Sequence, residues 1–352
     1  MQDDQMAASA DRASAGAGAG RARDDDGAMV PQTVPADAGV WIEPVPEPES
    51  SRRPQRLRRL VVLPRAVASA RVRIASRGDC ALFVNDHRLD GEGPSLSAAG
   101  EPVRREYEAA PYLVPGENVV AVILGESWGS ATPVPGRRPF AHPSPPLAVV
   151  LDLELVDDRG VRTLIGSDET FRATTGAIIY SEPGRGERQE HALRDPGWKL
   201  PGFDDSGWRP ARRSTDADRG VLDAPADADA GTARPDAASA VRVVGEVPAV
   251  SVEPLGDAVL VDFGRRLVGR VRVGFTAPSG TEVTLEHLTE HPDARGRGPV
   301  GVDVFVSAGD VHEVFEPGYA FHDFRWVRVS GLPHAETARF TVLELSLPPG
   351  VG

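Results

Sequence analysis

GRVRVGF (269–275) places Val271, Val273 and Phe275 on one side of an extended chain and Arg270, Arg272 and Gly274 on the other. That two-residue period is the signature of a strand with one buried face. Downstream the same alternation returns in TEVTLEHL (281–288), DVFVSAG (303–309), FRWVRVSG (324–331) and ARFTVLELSL (338–347), and upstream in AVLVDFG (258–264). Nearer the N-terminus, RLRRLVVLP (56–64) and SARVRIAS (69–76) read as strands, the second alternating Val72 and Ile74 with Arg71 and Arg73. CALFVND (80–86), NVVAVILG (118–125) and LAVVLDLELV (147–156) are denser apolar runs closed by Asn-Asp, Gly or Asp-Asp, which predicts inner strands. LVPGEN (113–118) supplies a Pro-Gly turn before one of them. Helical periodicity over three turns is absent. The expected fold class is all-β, with two antiparallel β-sandwiches of jelly-roll type joined by a flexible linker.

Composition sets the limits of each module. Residues 1–38 hold no aromatic and are built from Ala, Gly, Asp and Arg, so a disordered tail is expected there. Ten of the thirty residues in 211–240 are Ala, and no aromatic occurs between Trp208 and Phe263. A disordered linker over 212–240 is therefore expected, leaving modules at 39–211 and 241–348. The net charge of the 352 residues is −13, and Lys199 is the single lysine among 39 basic residues. Clustered cations, which dominate nucleic-acid binding, are lacking, so no nucleic-acid partner is expected. One cysteine, Cys80, excludes an intrachain disulfide and a cysteine-based metal cage. The first thirty residues have no apolar signal core and no run long enough to span a membrane is present, which predicts a cytoplasmic protein without a membrane partner.

Few motifs carry chemistry. Asp204 and Asp205 in FDDSGW are a possible acid pair, but adjacent residues on an extended segment face opposite ways and Asp before Ser-Gly favours a turn. His287, Glu290 and His291 spell H-x-x-E-H, a pattern that binds zinc only on a helix; TEVTLEHL reads as a strand and Pro292 follows, so chance is the reading. His142, His312, His322 and His334 have no ligand spacing, and calcium at Asp86 and Asp90 lacks enough carboxylates. Neither a metal nor a cofactor is expected, and no catalytic residue is assigned. Sugar binding, which uses an aromatic face and a few hydroxyl-directed polar groups, is the surviving function, with Trp128, Asn85 and Asp86 as candidates in exposed loops. The competing role for Trp128 is packing on the sandwich edge, and for Asn85-Asp86 a plain hairpin turn. Trp41, Trp198, Trp208 and Trp326 are assigned to core or interdomain packing.

The ordered strings resemble a family, the bacterial α-L-rhamnosidases that invert configuration at the anomeric carbon. VWIEP (40–44), VASARVRIASRGDCALFVNDHRL (67–89), YEAAPYLVPGENVVAVILGESWG (107–129), GSDETFRATTGAI (166–178), GERQEH (186–191) and PGWKLPGFDDSGWRPA (196–211) carry the likeness in the first module. VDFGRRLVGRVRV (261–273), PSGTEVTLEH (278–287), VDVFVSAG (302–309) and FEPGYAFHDFRWVRVSG (315–331) carry it in the second. Phe171 and Asp86 depart from the Trp and Gly the family pattern suggests, and Gln189, Glu190 and His191 from its acidic pattern. The resemblance implies a galactose-binding-like first sandwich and a concanavalin-like second one. It also implies that the hydrolytic carboxylates belong to an (α/α)6 barrel following the second sandwich, where this sequence reads LSLPPGVG. The expectation is a non-catalytic carbohydrate-binding or docking module pair. The alternative is an α-L-rhamnosidase by family whose catalytic domain is lost or separately encoded. Expected partners are a rhamnoside-like carbohydrate and a separate glycosidase polypeptide or a second copy, with FEPGYAFHDFRW (315–326) supplying part of an exposed apolar surface while its strand half faces the core.

Overall fold

Gly116–Gly125 and Ala148–Asp157, the densest apolar runs, lie in the middle of two different sheets because both of their faces are covered. A computed structural model describes residues 39–45, 53–91, 103–125, 146–182, 185–215, 222–223, 241–293 and 298–347. In a six-stranded sheet, Gly116–Gly125 sits between Gln55–Leu63 and Asp79–Val84; His87–Arg88 lies beyond the second neighbour, and Arg172–Thr175 then Arg209–Pro210 beyond the first. In a seven-stranded sheet, Ala148–Asp157 sits between Ile42–Glu43 and Val67–Arg77, with Arg212–Arg213, Val103–Glu108 and Leu222–Asp223 further out and Arg162–Gly166 paired to it. Between the two sheets Val72, Ile74, Leu57, Leu82, Val120, Val122 and Leu153 form one buried core. Each such side chain contributes about 1.5–3 kcal/mol when fully buried.

The remaining sheet has ten strands. Gly301–Val306, Glu282–Leu288, His322–Ser330, Ala258–Phe275, Arg339–Ser346 and Arg242–Pro248 follow one another across it, and Ser251–Leu255 and Glu313–Phe315 also pair with Ala258–Phe275. AVLVDFG and GRVRVGF, two strands by their separate alternations, are halves of one eighteen-residue strand. Its register against His322–Ser330 shifts between Asp262 and Leu267. Gly264 (φ +77°) lies in that irregular stretch, and Arg265 and Arg266 point outward to Glu344 and Asp323. At Gly269 a Cβ would lie 2.5 Å from the Leu343 carbonyl oxygen, so the glycine lets two strands close on each other.

The expected all-β class is what the described residues show: helical turns among them are three-residue 3-10 segments at Ala110–Tyr112, His191–Leu193 and Ala335–Thr337. None of the described helices is long and apolar enough to cross a membrane.

Three placements depart from the sequence reading. Residues 212–240 are not linker throughout, because Arg212–Arg213 pairs with Ile42–Glu43, Ser214 N–H donates to the Trp41 carbonyl over 2.8 Å, and Leu222–Asp223 runs parallel to Val103–Glu108. Glu43, buried, accepts from Arg212 and Ser214, so a low-hydropathy stretch is held by charge and hydrogen bonds rather than apolar burial. The tail 1–38 and the rest of the linker lie outside the described residues. Next, the division at residue 211 does not hold as a division between sheets. Ile178–Glu182 and Gly186–Glu190 join the ten-stranded sheet through parallel pairing of Gly186–Glu190 with Gly301–Val306. Last, FEPGYAFHDFRW does not supply an exposed apolar patch: Phe315, Tyr319 and Phe321 are buried as well as Phe324, which lies in the strand half expected to face the core. Phe315 and Phe324 lie in the core of the ten-stranded sheet, Phe321 packs with Val241 and Leu345, and Tyr319 is covered by the apolar outer face of the six-stranded sheet, where Ala81, Phe83, Val119 and Ala121 pack with Trp198.

Candidate functional site

The segment that crosses between the sheets also builds a cleft. A cavity of about 690 Å³ is bounded by Pro54, Arg56, Asp86 and Ile123 of the first sandwich, by residues 176–178, 191–192 and 194–199, and by Ala308 and Asp310. Its size falls within the range of roughly 300–1,000 Å³ usual for small-ligand sites. Ile123, Ala177, Ile178 and Trp198 give it apolar lining, and three ion pairs surround that lining. Arg56 Nη2 meets Asp195 at 2.5 Å, Arg194 Nη2 meets Asp310 at 2.7 Å, and Lys199 contacts Asp86.

Local structure explains each position. Asn85 (φ +49°) and Asp86 (φ +70°) occupy the left-handed region in the two-residue turn from Asp79–Val84 to His87–Arg88, which Asn and Asp tolerate better than most residues. Asn85 is committed to that turn: its amide donates to the Tyr112 carbonyl and to Asn118 Oδ1, and its own oxygen accepts the Val119 N–H at 2.8 Å. Asp86 instead points to the cleft with its side chain about half exposed (52%). Lys199 Nζ is held above the Phe83 ring, 4.2 Å from its centroid. Arg56 lies 5.4 Å from the Trp198 centroid and 5.1 Å from that of Trp208, so two tryptophans and Asp195 fix its guanidinium. His191 packs edge-on against Phe305, with Nε2 3.2 Å from Gln189 Oε1 and Nδ1 3.4 Å from Glu313. Burial, with Arg194 adding to it, pushes its imidazole down to about 4, so it is neutral at pH 7.

Of the three residues singled out for sugar contact, then, Asp86 faces the cleft, Asn85 is spent on the turn, and Trp128 lies outside the described residues. Arg56, Asp195, Trp198, Lys199, Arg194 and Asp310 were not singled out as a set. The signal available in the sequence was the lone lysine beside a tryptophan in PGWKL. Asp204 and Asp205 form no catalytic pair: Asp205 binds Arg58, and Asp204 accepts the Ser206 N–H at 2.9 Å, which holds its carboxyl below the usual range. His287 and His291 also separate, His287 buried on its strand and His291 partly exposed beside Asp293.

Residues 65–244 match the α-L-rhamnosidase N-terminal domain, and residues 254–346 the bacterial α-L-rhamnosidase concanavalin-like domain. An α-L-rhamnosidase of Streptomyces avermitilis is 28% identical over 308 residues, covering 84% of this chain and 28% of that protein. One from an Alteromonas species is 24% identical over 290 residues, covering 79% of this chain and 30% of its own length. The chain thus spans less than a third of these curated relatives. In solved structures, native α-L-rhamnosidase from Aspergillus terreus superposes with a TM-score of 0.73 at 24% identity, over 88% of this chain and 36% of that one. The Streptomyces avermitilis enzyme complexed with L-rhamnose does so with a TM-score of 0.71 at 25% identity, over 84% and 29%. With the first domain match alone taking in more than half of its residues, the chain belongs to the bacterial α-L-rhamnosidase family.

Proposed function

We propose that this chain is a non-catalytic module pair of an α-L-rhamnosidase system that binds a rhamnoside-like carbohydrate in the cleft beside Trp198. The observation that carries this reading is the composition of the cleft: apolar lining for the non-polar face of a pyranose, ringed by Asp86–Lys199, Arg56–Asp195 and Arg194–Asp310 for its hydroxyls. Ionised groups make the stronger hydrogen bonds to hydroxyls. The family relationship supports the choice of sugar.

Calorimetric titration of L-rhamnose and an aryl α-L-rhamnoside into the chain is expected to give saturable binding. Asp86→Ala and Lys199→Met are each expected to weaken it about tenfold, the loss of one or two charge-assisted hydrogen bonds. Unchanged affinity in both variants would remove this cleft as the site. Catalysis is tested separately: the purified chain is expected to release no aryl product above the buffer blank, and turnover that persists through repurification would make it an enzyme.

A further inference from the structure

Three buried polar atoms without hydrogen-bond partners lie together in the ten-stranded sheet. They are His287 Nε2, Asp303 Oδ2 and His322 Nδ1, from side chains with no solvent exposure. A single such atom costs about 1–3 kcal/mol, and native interiors rarely concentrate them.

Strand pairing makes the cluster. His287 is opposite Gly301, Asp303 lies two residues further along that strand on the same face, and the His322 ring, from the next strand beyond His287's, occupies the space where a side chain at 301 would be. Glycine at 301 is what admits it, because a Cβ there would lie 2.1 Å from His322 Nδ1. Asp303 Oδ2 is 3.6 Å from His287 Nε2, and Asp303 Oδ1 is 3.2 Å from His322 Nε2. One ligand atom from each residue falls within 4.8 Å of the others. Tetrahedral sites with bonds of about 2.0–2.1 Å place neighbouring ligands about 3.4 Å apart, so small side-chain adjustments complete the fit.

Hydrogen bonding sets the direction of the free nitrogen. His287 Nδ1 lies 3.3 Å from the Gly301 carbonyl, which only accepts, so Nδ1 carries the proton and the neutral ring turns the Nε2 lone pair toward Asp303 Oδ2. Two acceptors then face each other in a dry interior unless a cation lies between them. Asp303 is oriented in turn by the Glu187 N–H, 2.9 Å from Oδ1. An imidazole fixed through its other nitrogen and a hydrogen-bonded carboxylate are the supports that metal ligands generally have.

We propose that His287, Asp303 and His322 bind one divalent cation of the zinc type. Two imidazoles and one carboxylate suit zinc and its first-row neighbours, whereas calcium and magnesium require more oxygen ligands. Three protein ligands leave the fourth tetrahedral position to a small group such as water, and because every ligand is buried a substrate has no access to it, so the ion is structural and enters as the chain folds. It would tie Glu282–Leu288, Gly301–Val306 and His322–Ser330 together, and Asp303 also accepts the Glu187 N–H of the neighbouring strand.

The test is refolding of the full chain from urea with zinc sulfate or cobalt(II) chloride, followed by gel filtration. About one zinc per chain, a visible cobalt absorption, and a melting temperature at least about 5 °C above the EDTA-treated chain are expected. Asp303→Asn and His322→Gln are expected to retain less than a tenth of that metal, and His291→Gln, outside the cluster, all of it. Should the first two fail to fold, the cobalt spectrum of the unaltered chain still decides. Less than a tenth of an equivalent in that chain would overturn the proposal in favour of an imidazolium–carboxylate pair, and equal uptake by Asp303→Asn would assign the metal to surface histidines.

Discussion

Gly186→Ala is expected to destabilise the chain by at least about 3 kcal/mol and to split its unfolding into two transitions. Gly186 has φ +136°, and an added Cβ would stand 1.8 Å from the Val302 carbonyl oxygen. Backbone is in the way, so the strand must move. Movement breaks the Val302 N–H to Arg185 carbonyl bond at 2.7 Å and the Glu187 N–H to Asp303 bond at 2.9 Å. Glu187 itself, buried, accepts from Ser181, Gln189 and the Gly318 and Tyr319 N–H groups, and those four donors are displaced with it. Gly202→Ala is the control, since Gly202 has φ +80° with nothing within 4 Å of an added Cβ, and it is expected to cost about 1–2 kcal/mol. Urea unfolding followed by tryptophan fluorescence and by circular dichroism reads both effects. Coincident single transitions with equal midpoints for the two variants would show that the parallel junction does not couple the sheets.

Asp79→Asn is expected to stabilise the protein at neutral pH, by up to about 4 kcal/mol, and by much less near pH 4. Asp79 is buried at the start of its strand with Oδ2 lacking a partner, and burial pushes its carboxyl up to about 8, against a smaller opposing pull from Arg105. An unfolded chain has an ordinary carboxyl near 3.9. Below pH 4 both states hold the proton and the group costs nothing. As pH rises from about 4 to 8 the unfolded state releases its proton while the native state keeps it, so native stability falls by about 1.4 kcal/mol per pH unit and levels off above 8. Asparagine cannot titrate and keeps the shape. Urea midpoints of the two proteins at pH 4.5, 6 and 7.5 are expected to diverge steadily, and a constant gap would sink the assignment.

Strands with one wet face were legible because their information is local. Val72 and Ile74 are buried and Arg71 exposed, as the period requires, and Gly116–Gly125 and Ala148–Asp157 are inner strands as their density indicates. GERQE (186–190) was not legible as a strand, since its buried member is a carboxylate whose partners come from Ser181, Gln189, Gly318 and Tyr319. The same holds for the cleft: Arg56 reads as one more cation on an alternating strand until Asp195 and two tryptophans arrive from about 140 residues away in the chain.

Sequence by itself determined the all-β class, the positions of most strands, the Asn85-Asp86 turn and, through its ordered motifs, the family, because side-chain periodicity and turn chemistry act over a few neighbouring residues. Tertiary structure alone decided that residues 178–190 belong to the second sheet system, that Asn85 is consumed while Asp86 faces a cleft, and that His322 stands beside His287 and Asp303. Burial of a charge or an imidazole depends on which distant groups close around it. Chain closure supplies those groups, and no local pattern encodes them.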